Sequence, residues 1–162
     1  MRRQHVFANA STTAPPHTVW QLVSDVHTWR TWGPFEESGL ERPGDAEEQG
    51  TGAIRRFVKG SYVTRELVVT FEPDEHLVYQ LLSGLPLRGY EGAITLVPTP
   101  SGTAISWTST FEPAIPGTGR LFARGMQRLL QDLVTRLAGA AAAAAGAPTD
   151  ADRPAVAERR SA

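Results

Sequence analysis

Residues 53–71 read Ala-Ile-Arg-Arg-Phe-Val-Lys-Gly-Ser-Tyr-Val-Thr-Arg-Glu-Leu-Val-Val-Thr-Phe. Two runs rich in β-branched and aromatic residues flank a Gly-Ser pair. That is the composition of a two-residue hairpin loop with glycine first, the type II′ preference. The turn pairs Lys59 with Tyr62, Phe57 with Thr64 and Arg55 with Glu66. Side chains alternate across a strand, so Arg55, Phe57, Thr64, Glu66 and Val68 share one face. The other face, with Ile54, Val58, Val63, Leu67 and Val69, is apolar too, and this hairpin alone does not say which side is inward.

The strands that follow decide it. Leu77–Leu82, Tyr90–Val97 and Ala104–Phe111 continue the pattern, separated by Glu72–Glu75, Ser83–Pro86 and Pro98–Gly102, all turn chemistry. A four-residue loop at Glu72–Glu75 pairs Phe71 with His76, and hence Val68 with Tyr79 and Glu66 with Leu81. Pairing Leu96 with Ile105 sets Ile94 against Trp107 and Tyr90 against Phe111. The face holding Arg55 then also holds Leu77, Tyr79, Leu81, Tyr90, Ile94, Leu96, Ile105, Trp107, Ser109 and Phe111. Large apolar rings with isolated Arg, Glu, Tyr and Ser suit a cavity in which a few polar groups orient an apolar guest.

Upstream, Val6–Thr13 is a candidate first strand, stopped at Ala14-Pro15-Pro16, where proline suits the first turn of a helix. Val19, Trp20, Leu22, Val23 and Val26 recur at helical spacing. A second short helix or turn carries Trp29 and Trp32 and ends at Gly33-Pro34. Glu36 to Gly52 is charged and glycine-containing, which predicts an irregular strand and a mobile loop around Gly44 to Gly50. Downstream of Glu112–Gly119, Leu121, Phe122, Met126, Leu129, Leu130, Leu133, Val134 and Leu137 form one apolar stripe of a long helix. The order is strand, two short helices, a run of strands and a long helix: an α+β layout in which the terminal helix covers one face of a curved sheet. Residues 1–138 form one domain. Residues 139–162 read as an alanine-rich helix end, with little reason to dock, running into a disordered tail.

Composition narrows the function. The 162 residues carry 16 basic and 17 acidic groups, a net charge of −1, so no basic excess exists to displace counterions from nucleic acid. There is no cysteine, which excludes disulfides and thiolate chemistry. No apolar run reaches the roughly 18–20 residues of a membrane helix, and the N-terminal charges precede no apolar segment of a secretory signal. The expectation is a cytoplasmic domain without integral membrane association. His5, His17, His27 and His76 lack metal-ligand spacing, so no metal is expected. His27 beside Asp25 reads as a helix-end contact. No phosphate loop, dinucleotide fingerprint or nucleophile elbow is present, and no cofactor is expected. Arg120, Arg124, Arg128 and Arg136 form a basic outer helix face, solvated or docked to an acidic partner or surface.

Several stretches in this order resemble the SRPBCC or START-like superfamily, in its polyketide cyclase/dehydrase and lipid-transport branch. They are Ala14-Pro15-Pro16-His17-Thr18-Val19-Trp20, Val23–Trp32, Gly52–Arg56, Arg65-Glu66-Leu67, Phe71-Glu72-Pro73, Gly89-Tyr90-Glu91-Gly92, Gly102–Trp107 and Pro116–Gly119. The resemblance spans about residues 5 to 138. It implies a helix-grip fold, a seven-stranded antiparallel sheet wrapped around the C-terminal helix with a cavity between them. It also implies that Arg55, Glu66, Tyr90 and Ser109 are the polar cavity groups and that Phe122, Met126 and Leu130 form the helix wall. With Phe57, Thr64, Tyr79, Leu81, Ile94, Trp107 and Phe111 these make the candidate binding site. Plant hormone receptors of the superfamily carry a mobile gate where this chain has only Gly60-Ser61, so Ser83–Gly89 and Glu36–Gly50 become the candidate lids.

Two functions follow. One is the binding of a hydrophobic small molecule, polyketide-, aromatic- or lipid-like. The other is a polyketide aromatase/cyclase or dehydratase in which Glu66 or Tyr90 moves protons and Arg55 polarises a carbonyl. Arg55 and Glu66 admit a functional reading or that of a structural ion pair. Tyr79 and Tyr90 either donate to a ligand carbonyl or simply pack. Trp20, Trp29 and Trp32 belong to the core or the cavity end. The ligand and the oligomeric state are open at this point.

Overall fold

Gly60 turns the chain with φ of 58° while Ser61 keeps a negative φ, which is the type II′ pattern. The strands beside it pair as the turn dictates, Lys59 with Tyr62, Phe57 with Thr64 and Arg55 with Glu66. The computed structural model describes residues 2–146; the predicted tail at 147–162 lies outside the described residues. β1 (Gln4–Thr12) leads into α1 (Pro16–Ser24), then a single 3-10 turn (Val26–Thr28) runs into α2 (Trp29–Trp32). Next come β2 (Glu37–Arg42), β3 (Ile54–Lys59), β4 (Tyr62–Glu72), β5 (His76–Ser83), β6 (Leu87–Thr99), β7 (Gly102–Pro113) and α3 (Gly119–Gly146).

The seven strands form one antiparallel sheet in the order β1-β7-β6-β5-β4-β3-β2. Consecutive hairpins build six of them, and β1 crosses to lie beside β7. α3 packs along β1 and β7 and touches α1. This is the helix-grip arrangement, a sheet bent around its terminal helix. α3 also serves the sheet's edge. Gln127 Nε2 donates to the carbonyl of Phe7 at 2.7 Å and Gln131 Nε2 to that of Asn9 at 3.5 Å. Four residues of helix advance about 6 Å, close to two residues of strand, so glutamines four apart meet edge carbonyls two apart.

The inward face is the expected one. Phe57, Val68, Leu77, Tyr79, Ile94, Leu96, Ile105, Trp107 and Phe111 are buried, while Ile54, Val58, Leu67 and Val69 are half-buried and Val63 is exposed. Three details differ from expectation. Phe71 pairs with Leu77, not His76, because the β4–β5 loop is the three residues Pro73–Glu75, with Asp74 left-handed at φ 65°. A bulge at Val69 absorbs the extra residue and restores Val68–Tyr79 and Glu66–Leu81. The β6–β7 ladder shifts between Glu91 and Arg88, so Tyr90 and Phe111 are not regular ladder partners; their rings still stack with centroids 6.2 Å apart.

α3 buries Met126, Leu130, Leu133, Val134 and Leu137, but Leu121 is 71% exposed. It sits on the row of Gly125, Arg128 and Asp132, all exposed, away from the buried stripe of Met126, Leu130, Leu133 and Leu137. The alanine-rich end docks after all, since Ala141 is fully buried and Ala138 nearly so. Small side chains let the helix backbone come close enough for Thr12 Oγ1 to donate to the Ala138 carbonyl at 2.9 Å. The segment around Gly44–Gly50 is tied down rather than loose. Gly44 N–H donates to Glu48, Asp45 to Thr51 and Gly50 to Glu47, and Gln49 bonds both Val26 and Asp25.

Candidate functional site: an aromatic-walled cavity

Between the concave face and α3 lies a cavity of about 610 Å³. Seven aromatic side chains line it, and all but Tyr62 form a continuous belt. Phe35 and Phe57 have centroids 4.9 Å apart, Phe57 and Trp29 5.1 Å, and Trp29 and Trp107 5.6 Å edge to face. Trp107 Nε1 donates to the Tyr79 hydroxyl at 2.9 Å, and the Tyr79 and Tyr90 rings are 6.2 Å apart. The remaining wall is largely aliphatic, with Leu81, Met126 and Leu130 in the expected places.

Glu66 is the one carboxylate among the described residues that line the cavity. Among the described residues no hydrogen-bond donor engages its side chain. Burial raises its pKa to about 7 against the opposing pull of the Arg55 charge. An acid without a donor in an apolar wall pays for desolvation of its charged form, so the proton is held more tightly. The two tyrosines move the same way. Burial, chiefly, pushes Tyr90 up to about 12 and Tyr79 well above its ordinary value, and the Glu66 charge adds to both. Both hydroxyls therefore stay protonated. Tyr90 is held by Ser109 Oγ at 2.8 Å and lies 3.9 Å from the Met126 sulfur. The Tyr79 oxygen accepts from Trp107 on one side, and its hydroxyl interacts with that of Tyr90 on the other.

Arg55 faces elsewhere. Its Nη1 donates to the carbonyl of Val23 at 3.2 Å, and Nη2 to those of Ser24 at 2.6 Å and Gln49 at 3.3 Å. The guanidinium thus fastens the C-terminus of α1 to the loop before β3. No Arg55–Glu66 ion pair occurs among the described residues, although the two are cross-strand neighbours. Among the described residues Arg55 Nε has no partner. Burial lowers the Arg55 pKa to about 10, with Glu66, Tyr79 and Asp25 resisting, so the group stays charged.

The structure brings Phe57, Thr64, Glu66, Tyr79, Leu81, Tyr90, Trp107, Met126 and Leu130 together around the cavity. Five other candidates lie off its lining. Arg55 serves α1. Ile94 and Phe111 are packed into the core, Ser109 is buried behind Tyr90, and Phe122 is half-buried in the first turn of α3. Trp29, Phe35, Leu85, Leu129 and Leu133 line the cavity without having been singled out as binding residues. The helical pair Leu129 and Leu133 was visible in the α3 stripe. Phe35 and Leu85 sit in loops, where no periodicity marks them.

The lids also differ from expectation. The short hairpin tip Gly60-Ser61, with Lys59 and Tyr62, borders the cavity, and Leu85 of the β5–β6 loop joins it. The Gly44–Gly50 segment does not; its contacts with Val26, Asp25 and Arg55 fix it at the far end. Asp25 accepts from the His27 backbone N–H at 2.9 Å, a cap on the 3-10 turn. His17 pairs with Asp74 at the surface, 3.0 Å apart. Among the described residues no cluster of three ligating side chains exists, and no helix is long and apolar enough to cross a membrane. Arg120, Arg124 and Arg128 are exposed, and Arg136 pairs with Asp132 at 2.8 Å.

This geometry recurs in solved structures. A START superfamily protein from Mycobacterium smegmatis superposes with a TM-score of 0.73 at 19% identity, over 85% of this chain and 96% of that one. The Zhui aromatase/cyclase from a Streptomyces species gives 0.70 at 16%, over 86% and 94%. A protein from Thermus thermophilus gives 0.68 at 22%, over 87% and 99%. At such identities the likeness is one of fold. No curated protein matches the chain in sequence. The family model described as polyketide cyclase / dehydrase and lipid transport matches residues 3–142. With a sheet bent around its last helix and a hydrophobic ligand cavity between them, the chain belongs to that family, within the SRPBCC/START-like superfamily.

Proposed function

We propose that the protein encloses one hydrophobic small molecule, aromatic, polyketide-like or lipid-like, as a cytoplasmic binding protein. The aromatic belt carries this reading. Six rings in sequence around about 610 Å³ offer stacking and edge contacts to a planar guest, and a mainly apolar site with few polar groups is the usual form of a small-molecule pocket. Native mass spectrometry of the protein as purified, then with the neutral probe N-phenyl-1-naphthylamine, tests it. A single bound molecule per chain is expected; a protein that takes up no probe contradicts the reading.

A second reading is enzymatic, an aromatase/cyclase or dehydratase. It is favoured by the placement of Glu66, titrating near neutral pH, in one wall with Tyr79 and Tyr90, since a general acid–base works best with a pKa near the operating pH. Here Glu66 exchanges the proton and the tyrosines hold a carbonyl oxygen. Arg55 is no longer a partner in that chemistry, because its Nη1 and Nη2 are held by α1 and Gln49 and it lies off the cavity lining. Incubation with a poly-β-keto substrate, comparing wild type with Tyr90→Phe, tests it: an altered product distribution is expected, and an identical one removes Tyr90 from the reaction.

A further inference from the structure

Glu66 poses a chemical question that a purely apolar guest does not answer. It is a carboxyl in the cavity wall with no donor from the protein among the described residues, and its cross-strand partner Arg55 is turned to other groups. The carbonyls that Arg55 engages include the last ones of α1, where the helix dipole is negative, and Asp25 adds to the negative field there. Both terminal nitrogens of Arg55 are thus satisfied without Glu66, and its buried Nε alone is left without a partner among the described residues. A neutral carbonyl guest does not answer Glu66 either, since a carbonyl oxygen is an acceptor and offers nothing to an ionised carboxylate. The Arg55 charge acts on Glu66 without an ion pair between them; what Glu66 lacks is a cation in contact with it, and aromatic rings beside it have negative faces that attract one.

We propose that the cavity is built for a lipophilic amine, with the aromatic body held in the ring belt and the protonated nitrogen on the Glu66 carboxylate. The inference rests on the cavity being a ligand site and names the chemical class of that ligand. Diagonal neighbours of Glu66 on the same face are Phe57 and Tyr79, so a nitrogen at the carboxylate lies against π faces on two strands. The charged and titratable groups around Glu66 are few. Arg55, its cross-strand neighbour, and Lys59 come from β3, Tyr62 from β4 at the cavity border, Tyr79 from β5 and Tyr90 from β6; α2 and the lining face of α3 contribute none. Lys59 is exposed at the cavity border, where solvent screens it. Tyr79 and Tyr90 are neutral throughout the working range. Glu66 is therefore the group whose titration governs the binding of a cation.

The test compares two probes of one shape, 2-naphthylmethylamine and 2-naphthylmethanol, titrated against tryptophan fluorescence at several pH values. The expected result at about pH 8 is an amine preference of about tenfold or more. Below about pH 7 the amine must displace a proton from Glu66, so its affinity falls by about tenfold per pH unit, while the alcohol shows no such fall. In Glu66→Gln the amine-to-alcohol ratio collapses toward one; should that variant not fold, the pH profile of the wild type decides alone. Equal binding of the two probes, or a preference for the alcohol, overturns the amine proposal while leaving the ligand site intact. Binding of neither probe overturns the ligand-site reading itself, and the proposal with it.

Discussion

Tyr79 lies across the backbone of its cross-strand partner Gly92. A Cβ at Gly92 would stand 2.3 Å from Tyr79 Cζ and 2.5 Å from its hydroxyl oxygen. The missing side chain is what lets the ring lie over β6 and deliver its oxygen to Trp107 on β7. One glycine therefore sets the position of two members of the aromatic belt.

Gly92→Ala is expected to push the Tyr79 ring off the sheet and weaken its bond to Trp107. Such overpacking costs about 1–3 kcal/mol. Urea denaturation measures the loss. A variant as stable as wild type, with unchanged tryptophan emission, contradicts the close approach.

Glu66 makes stability fall with rising pH. Its folded pKa, about 7, stands above the ordinary value of 4.5, so the folded state holds the proton more tightly than the unfolded chain. The contribution is fully present below about pH 4.5 and is lost as pH rises to about 7, with no further change above it. Glu66→Gln should remove this slope and stabilise the ligand-free protein at about pH 8, by up to roughly 3 kcal/mol. Denaturation curves at about pH 4.5 and pH 8 check the sign; a variant destabilised equally at both contradicts it.

Arg55→Met is expected to strand the carbonyls of Val23, Ser24 and Gln49 and to cost roughly 3–4 kcal/mol. Arg55→Lys should recover only part of this, because one ammonium does not span carbonyls that a planar guanidinium reaches together. Chemical denaturation of the two variants gives the comparison. Full recovery by lysine would show that the charge, not the fork of donors, holds α1 in place.

Ala141 is fully buried, while Ala143 is exposed. Ala141→Glu should destabilise the protein by several kcal/mol, and Ala143→Glu by no more than about 0.5 kcal/mol. Equal melting temperatures for the two variants would mean that the last turns of α3 do not dock.

The sequence discloses the strands and the inward face because period-2 alternation survives from Phe57 to Phe111 and because Gly60-Ser61 fixes one register outright. It misplaces Phe71 because Glu72 has the composition of a turn residue and yet is the last residue of β4. The compensating bulge at Val69 leaves no compositional trace, since Val69 is an ordinary strand residue. Alternation also assigns a residue to a face without saying how far along the cavity it lies. Ile94 and Phe111 share the face of Trp107 but are buried in the core off the cavity lining. Arg55 shares the face of Glu66, yet its length carries the guanidinium to carbonyls 31 and 32 residues earlier in the chain, which no local pattern encodes. Phe35 and Leu85 escape notice because loop residues have no period to read.

The central claim is that the space between sheet and α3 receives a guest, and filling that space tests it most directly. Thr64 lines the cavity from β4, and Thr64→Trp places an indole inside it at a position where strands favour aromatic residues. Titration of N-phenyl-1-naphthylamine into both proteins, each first checked for cooperative melting, is the measurement. Saturable binding of one probe to the wild type, weakened about tenfold or more in a folded Thr64→Trp, is the predicted result. Equal binding to both proteins would place the probe elsewhere and contradict the account.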